Sequence, residues 1–390
     1  MHLLIATDHT FIEDGGMVFD DFCFDRRFFD DYRAVFEEVT VICRMRKRMQ
    51  GEAELQRSDG DGVHFVGVPN VHGASWALRP GSIAGDAVRR TVEQADRVVL
   101  RVPSQLGRLV SGLAARLGKP SMAEVIADPL TAWPSIRDNS IYRVFGWLEY
   151  RRQKQILSRA SVASYVSRVE LADRYPASRA VATDHISSIR LPDDWLAPAR
   201  SGGPVPRLIR LVHVGSLSRR KRPVDILEAA IRLTRDHGLC SVAVFAGDGP
   251  ERTSLVCHAR DAGREDCLEL QGQVSCRRRL LDILDSSHVY VCASASEGLP
   301  RGALEGMSRG LPLVGSLLPG LEELLPRGEL VAIGNVDGYV GRIRDVCGSP
   351  ESYASASRRS HEVVQGYLQT VLSAKRLQLY KTLRTLKRIP

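Results

Sequence analysis

No run of about 18 uninterrupted apolar residues occurs in this 390-residue chain, so it offers no candidate membrane-spanning helix. Its eight cysteines include no Cys-x-x-Cys pair and no histidine at metal-ligand spacing, which excludes a zinc ribbon. Reduced, mostly buried thiols are the expectation. The basic residues, which give a net charge of +8, are not interleaved with aromatics and form no recognisable binding module. No nucleic-acid partner is therefore expected. Internal repeats and low-complexity tracts are absent as well. The N-terminus has no basic segment ahead of its apolar residues and soon meets Asp8, Glu13 and Asp14. It reads as a first buried strand, not a signal peptide, and a cytoplasmic location is expected.

What is present is enough apolar material, 44% of residues, for a soluble globular protein too long for one core. In the first half, short apolar runs at 3–7, 39–43, 63–68, 97–102, 122–126 and 162–167 alternate with segments long enough for helices. A helical, strongly basic stretch covers 141–160. Residues 191–206 carry four prolines and two glycines and read as a linker, narrowed to 196–206. Beyond it the rhythm resumes. Strands are expected at 209–214, 242–246, 268–271, 289–293, 312–315 and 330–332, and helices at 223–237, 251–262, 277–285, 301–309 and 321–324. The expected class is α/β: two doubly wound, Rossmann-like domains with a cleft between them, and ligands at the carboxyl ends of strands.

The most informative segment runs from Ser296 to Pro312. A buried strand leads into the small-residue turn Ser296-Glu297-Gly298-Leu299-Pro300, then a helix carrying Glu305, then Gly310-Leu311-Pro312 and another strand. Gly298 removes a Cβ where backbone can approach a ligand. The adjoining helix N-terminus offers N–H groups and a positive dipole end to an anion. Alone, Glu297 reads as a helix-start charge and Glu305 as part of a solvated face. Together they form a Glu-x₇-Glu string that resembles the motif of family 4 glycosyltransferases of the GT-B fold.

The resemblance extends from Leu208 to about Ile333 in order. Val214-Gly215-Ser216-Leu217-Ser218-Arg219-Arg220-Lys221 is similar to the loop that carries the family's diphosphate-binding basic residues. Lys221 matches the family lysine. Ser216 stands where an arginine is usual, which leaves Arg219 or Arg220 as substitutes. Ala246-Gly247-Asp248-Gly249-Pro250 resembles the next turn, and Leu270-Gln271-Gly272-Gln273-Val274 the strand end whose backbone reads the nucleobase. In the first half, Gly15-Gly16 occupies the place of a glycine pair near the donor phosphates, with a plain turn as the equal alternative. Asp128, at a strand end before Pro129, matches a position that carries histidine or aspartate beneath the donor sugar.

The resemblance implies a retaining hexosyltransferase that moves glucose or N-acetylglucosamine from a UDP-sugar to a small hydroxyl acceptor, with no bound cofactor and no metal. It implies catalytic roles for Asp128, Lys221 and Glu297, and donor contacts from Gly15, Gly16, Arg220, Lys221, Val274, Glu297, Gly298, Leu299 and Glu305. The domains become an acceptor-side domain at 1–195, a nucleotide-sugar domain at 207–366, and a helix at 367–390 that packs back on the first. Ten acidic residues between Asp8 and Glu38, against three arginines, suit a cationic acceptor. The chain also resembles glycosyltransferases that build aminoglycoside pseudodisaccharides, which points to 2-deoxystreptamine. Two alternatives stay open. One is a peripheral-membrane enzyme with a lipid-linked acceptor, suggested by the basic, aromatic stretch at 141–160. The other is a non-catalytic nucleotide-sugar-binding protein.

Overall fold

A computed structural model describes residues 1–21, 24–49, 55–70, 80–131, 140–167, 170–201 and 207–388. The chain divides into two compact units, Met1–Ser188 with Ser373–Pro390, and Ile189–Leu372.

The first unit is built on a nine-stranded sheet. Its parallel strands are β1 (His2–Asp14), β3 (Glu38–Lys47), β5 (Val63–Pro69), β6 (Arg97–Val102), β7 (Ser121–Val125), β8 (Val162–Tyr165) and β9 (Ala182–His185). They lie in the order β5-β3-β1-β6-β7-β8-β9, with the antiparallel β2 (Met17–Asp20) and β4 (Gln56–Arg57) beside the end of β1. Strand β1 runs seven residues beyond the apolar segment that betrays it. Its register shifts between Ala6 and Thr10. There Asp8 accepts from the Gln105 and Leu106 N–H groups at 2.5 and 3.2 Å and so caps the helix Gln105–Arg116. Gly15 and Gly16, at φ 59° and 81°, make the two-residue turn from β1 to β2, a backbone that L side chains resist.

Buried apolar side chains of β1, β6, β7 and β8 pack against helices Gln105–Arg116 and Ser140–Leu157. The last helix, Gln369–Thr385, is held to this unit by polar anchors. Tyr380 and Tyr32 both donate to Glu124, at 2.9 and 2.8 Å, while Arg101 pairs with the same carboxylate. Arg97 donates to the Leu383 and Arg384 carbonyls and satisfies the helix end.

The second unit has one five-stranded parallel sheet. Strands β10 (Ile209–Val214), β11 (Ser241–Ala246), β12 (Leu268–Gly272), β13 (Val289–Cys292) and β14 (Leu313–Gly315) lie in the order β12-β11-β10-β13-β14. Strand order reverses between β10 and β13, the switch point where open α/β sheets leave a crevice. Helices Pro223–His237, Arg252–Asp261, Arg277–Asp285, Arg301–Ser308, Val336–Cys347 and Pro350–Gln365 complete the unit.

Two expectations need correction. Residues 330–332 make only an isolated bridge, Ser316 to Val331, because Gly334 (φ 80°) and the cap Asn335 turn the chain at once into the next helix. Residues 196–201 are not a free linker, and residues 202–206 lie outside the described residues. Trp195 is buried, Ala197 donates to the Ser308 carbonyl at 2.8 Å, and Arg200 reaches the Arg309 and Leu284 carbonyls at 3.0 and 3.1 Å. This segment is thus part of the second unit. Seven cysteines are free, with Cys43, Cys267, Cys292 and Cys347 buried; Cys23 lies outside the described residues.

Candidate active site

The carboxyl ends of β10 and β13 carry most of the residues that the motifs single out. After β10 the chain is held tightly to the loop that follows β11. Leu217 N–H donates to the Asp248 carbonyl at 2.9 Å, and a Cβ on Gly247 or Gly249 would fall 1.9 Å from the Gly215 oxygen or 2.5 Å from the Leu217 oxygen. This packing accounts for the Gly-Asp-Gly-Pro spacing. A short 3-10 turn, Arg219–Lys221, then presents three cations, and Pro223 opens the next helix at its favoured first position.

Glu297 stands opposite. Its side chain is only 8% exposed and pairs with Lys221; Ser294 Oγ donates to Oε1 at 2.7 Å. Arg220 Nη1 donates to the Ser296 carbonyl at 2.5 Å and lies 3.4 Å from Glu297 Oε2. The Ala295 N–H donates back to the Arg220 carbonyl at 2.8 Å. Between the two candidates for the arginine missing at Ser216, it is Arg220 that turns to the glutamate. Burial alone would raise the Glu297 carboxyl, but the Lys221 charge, the hydrogen bonds from Lys221 and Ser294, and Arg220 hold it below the ordinary value.

The helix Arg301–Ser308 begins at Pro300, and no side chain caps its first turn. It lies close against β10 and β13 because Gly302 and Gly306 face Tyr290: a Cβ on Gly302 would sit 2.3 Å from the phenol oxygen. Tyr290 also donates to the Val214 carbonyl at 3.2 Å. Gly320 lets the following turn touch the loop, since a Cβ there would sit 1.5 Å from the Gly298 oxygen. Gly298 itself is exposed, and a Cβ on it would meet nothing within 4 Å. Internal packing therefore does not demand this glycine.

Glu305, one turn into the helix, is half-buried. Among the described residues no donor reaches its carboxylate, and burial raises its pKa against a smaller opposing effect of Arg301. Leu299 and Val274 are half-buried, Val274 just past the left-handed Gly272 that ends β12. His213, on β10, is buried and donates Nδ1–H to the Val291 carbonyl at 3.1 Å. Burial, then Lys221, lowers its pKa to about 4, so it is neutral at physiological pH. Burial and Glu297 push the Cys292 thiol up to about 11.

The remaining site candidates are in the first unit. Asp128 is buried and occupied: Arg174 pairs with it, Tyr175 OH donates at 2.5 Å, and Leu130 N–H donates at 3.0 Å. Gly15 and Gly16 are exposed in the hairpin turn. The acidic run from Asp8 to Glu38 is largely taken up locally. Asp8 caps a helix, Asp14 pairs with Arg48, the buried Asp20 with His9, Asp31 with Arg376, and Glu38 with His64. Among the described residues no cluster of three His, Cys, Asp or Glu side chains stands ready for a metal.

Comparison with known proteins agrees with this arrangement. Protein CapJ of Staphylococcus aureus is 21% identical over 293 residues, 75% of this chain and 73% of the relative. The Escherichia coli UDP-Gal:alpha-D-GlcNAc-diphosphoundecaprenol alpha-1,3-galactosyltransferase is 24% identical over 279 residues, 67% of this chain and 68% of the relative. Among solved structures, Anabaena Alr3699/HepE in complex with UDP superposes with a TM-score of 0.70 at 15% identity, covering 99% of this chain and 100% of that one. The fold is the α/β fold, with parallel sheets, of the GT-B glycosyltransferases. Residues 202–363, which hold the β10 and β13 loops and both glutamates, match the model of the family Glycosyl transferases group 1.

Proposed function

We propose that the chain transfers a hexose from a UDP-sugar to a hydroxyl acceptor, with retention of the α-anomeric configuration. The observation that carries this reading is the pairing of Lys221 and Arg220 with the buried Glu297 at the sheet's switch point, beside an uncapped helix start. The chemical difficulty is charge. As the bond from C1 to the phosphate oxygen breaks, the diphosphate gains negative charge and the sugar becomes oxocarbenium-like. Lys221, Arg220 and the first-turn N–H groups of Arg301–Ser308 are preorganised donors for that leaving group. In the free protein Glu297 neutralises Lys221. With donor bound, the diphosphate shares that cation, and Glu297 accepts from sugar hydroxyls. Glu305, whose carboxylate meets no donor among the described residues, accepts from the ribose diol.

The acceptor oxygen bonds to C1 on the face the phosphate leaves, and its proton passes to the departing phosphate oxygen. No enzyme nucleophile is required. His213 is neutral and buried, and the Cys292 thiol stays protonated, so neither competes for that part. Asp128, held by Arg174 and Tyr175, orders its own strand end. The acceptor supplies a hydroxyl, on a small molecule or on a lipid-linked sugar. With Asp8, Asp14, Asp20, Asp31 and Glu38 engaged locally, charge no longer favours a cationic one. An aminocyclitol such as 2-deoxystreptamine becomes one candidate beside the lipid-linked sugar that the name of the E. coli relative specifies.

UDP release is the test, measured with UDP-glucose and UDP-N-acetylglucosamine, with and without 2-deoxystreptamine, and with EDTA. Release that survives chelation supports the reading. Tight UDP binding without release under any donor and acceptor indicates a binding protein instead, and loss in EDTA restored by manganese overturns the metal-free step.

A further inference from the structure

We propose that helix Ser140–Leu157 docks the first unit on an anionic lipid surface. Its sidedness is the reverse of a helix made for water. The face turned to the unit's core includes Glu149 and Gln153, 6% and 2% exposed, beside Ile156 and Leu157. The face turned outward carries Ile141, Val144 and Trp147, 64%, 57% and 48% exposed. At spacings of three these residues share one side of the helix, whereas a surface helix ordinarily turns that stripe inward.

The outer face continues into cations. Arg151 and Lys154 are exposed. The Arg151 guanidinium lies 5.0 Å from the Trp147 ring, and the Lys154 ammonium 5.0 Å from that of Tyr150. Just past the helix, Arg159 borders a cavity of about 670 Å³ with Arg116 and Arg179. None of these three arginines meets a carboxylate among the described residues. The helix's one acid, Glu149, is buried and paired with Arg152 at 2.6 Å, so no exposed position of the helix is acidic. An apolar stripe with tryptophan at its end, flanked by basic side chains and free of acids, matches the lipid–water boundary, where rings sit at headgroup depth and cations meet lipid phosphates.

The test is co-sedimentation of the full chain with vesicles of phosphatidylcholine alone or mixed with phosphatidylglycerol. No donor is present, so the result is independent of the transferase reading. Binding is expected to the anionic vesicles only and to weaken with salt. Arg151→Gln with Lys154→Gln should weaken it about 25-fold, roughly fivefold for each basic residue near the surface. Trp147→Ser should weaken it too, while Trp147→Tyr keeps it. Arg235→Gln with Arg252→Gln, exposed on the second unit, should leave it unchanged; equal loss there would mean diffuse attraction by net charge and overturn the site. Failure to bind anionic vesicles overturns the proposal. So does light scattering that shows a dimer made monomeric by Trp147→Ser, which would assign the face to a second copy. All these side chains are exposed, so an unchanged melting temperature certifies each variant's fold.

Discussion

Replacing Glu305 by glutamine should stabilise the protein and weaken its hold on the nucleotide. In the free protein the half-buried carboxylate meets no donor among the described residues, and burial raises its pKa. A group with a raised folded pKa keeps its proton longer in the folded state. Its charge is therefore tolerated least at neutral pH, and stability falls as pH rises through the folded pKa. Glutamine removes that charge at nearly the same volume. The gain at pH 7 should be on the order of 1 kcal/mol, or about 2–4 °C in melting temperature for a domain of this size. In acid, where wild-type Glu305 is protonated, the difference should vanish. UDP binding should move the other way. A charged hydrogen bond to the ribose is worth about 1.5–3 kcal/mol, so calorimetry should show UDP affinity about 10- to 100-fold weaker. Wild-type affinity should also rise with pH through the Glu305 titration, and the variant's should not. A variant less stable than wild type, or one with unchanged UDP affinity, would refute the assignment.

Lys221→Met keeps the stem and removes the charge, and kcat should fall about 10²–10³-fold with a smaller change in KM, because the cation acts mostly on the departing diphosphate; kinetics within threefold of wild type would contradict this. Gly320→Ala forces a Cβ toward the Gly298 oxygen and should destabilise by about 1–3 kcal/mol in urea unfolding. Gly298→Ala meets nothing and should melt within about 0.5 kcal/mol of wild type, yet lose turnover; full activity would mean that no donor approaches that backbone. In the first unit, Glu124→Gln leaves the buried Arg101 without its countercharge and should destabilise by about 3–5 kcal/mol. Tyr380→Phe removes one of several donors and should cost about 1 kcal/mol, and equal effects of the two would show that the ion pair is not the anchor.

Much of this architecture was legible from residue order. Strands β6 and β10 and the helices Pro223–His237 and Arg277–Asp285 match their expected bounds; β-branched apolar runs mark the strands, and a proline at the first helical position marks Pro223–His237. Strand β9 was missed since Ala182-Thr183-Asp184-His185 is half-exposed and carries no apolar alternation. The turn at Gly15-Gly16 was one of two readings, but the length of β1 and the strand β2 were missed because Asp8, His9 and Thr10 interrupt the apolar run. The helices Val336–Cys347 and Pro350–Gln365 also went unread, although Asn335 and Ser349-Pro350 are legible starts. In the candidate site, the motifs singled out Lys221 and, as one Glu-x₇-Glu string, Glu297 with Glu305. That Glu297 closes on Lys221 while Glu305 meets no donor among the described residues depends on how two distant loops meet, which spacing alone does not encode.

The central claim is that a nucleoside diphosphate binds at the carboxyl ends of β10 and β13. A crystal structure of the protein soaked with UDP tests it most directly. The diphosphate should lie against Lys221 and the first turn of Arg301–Ser308, with the ribose hydroxyls on Glu305 and the Lys221–Glu297 pair opened. UDP bound elsewhere, or bound here with Glu305 still lacking a partner and Lys221 still closed on Glu297, would contradict it.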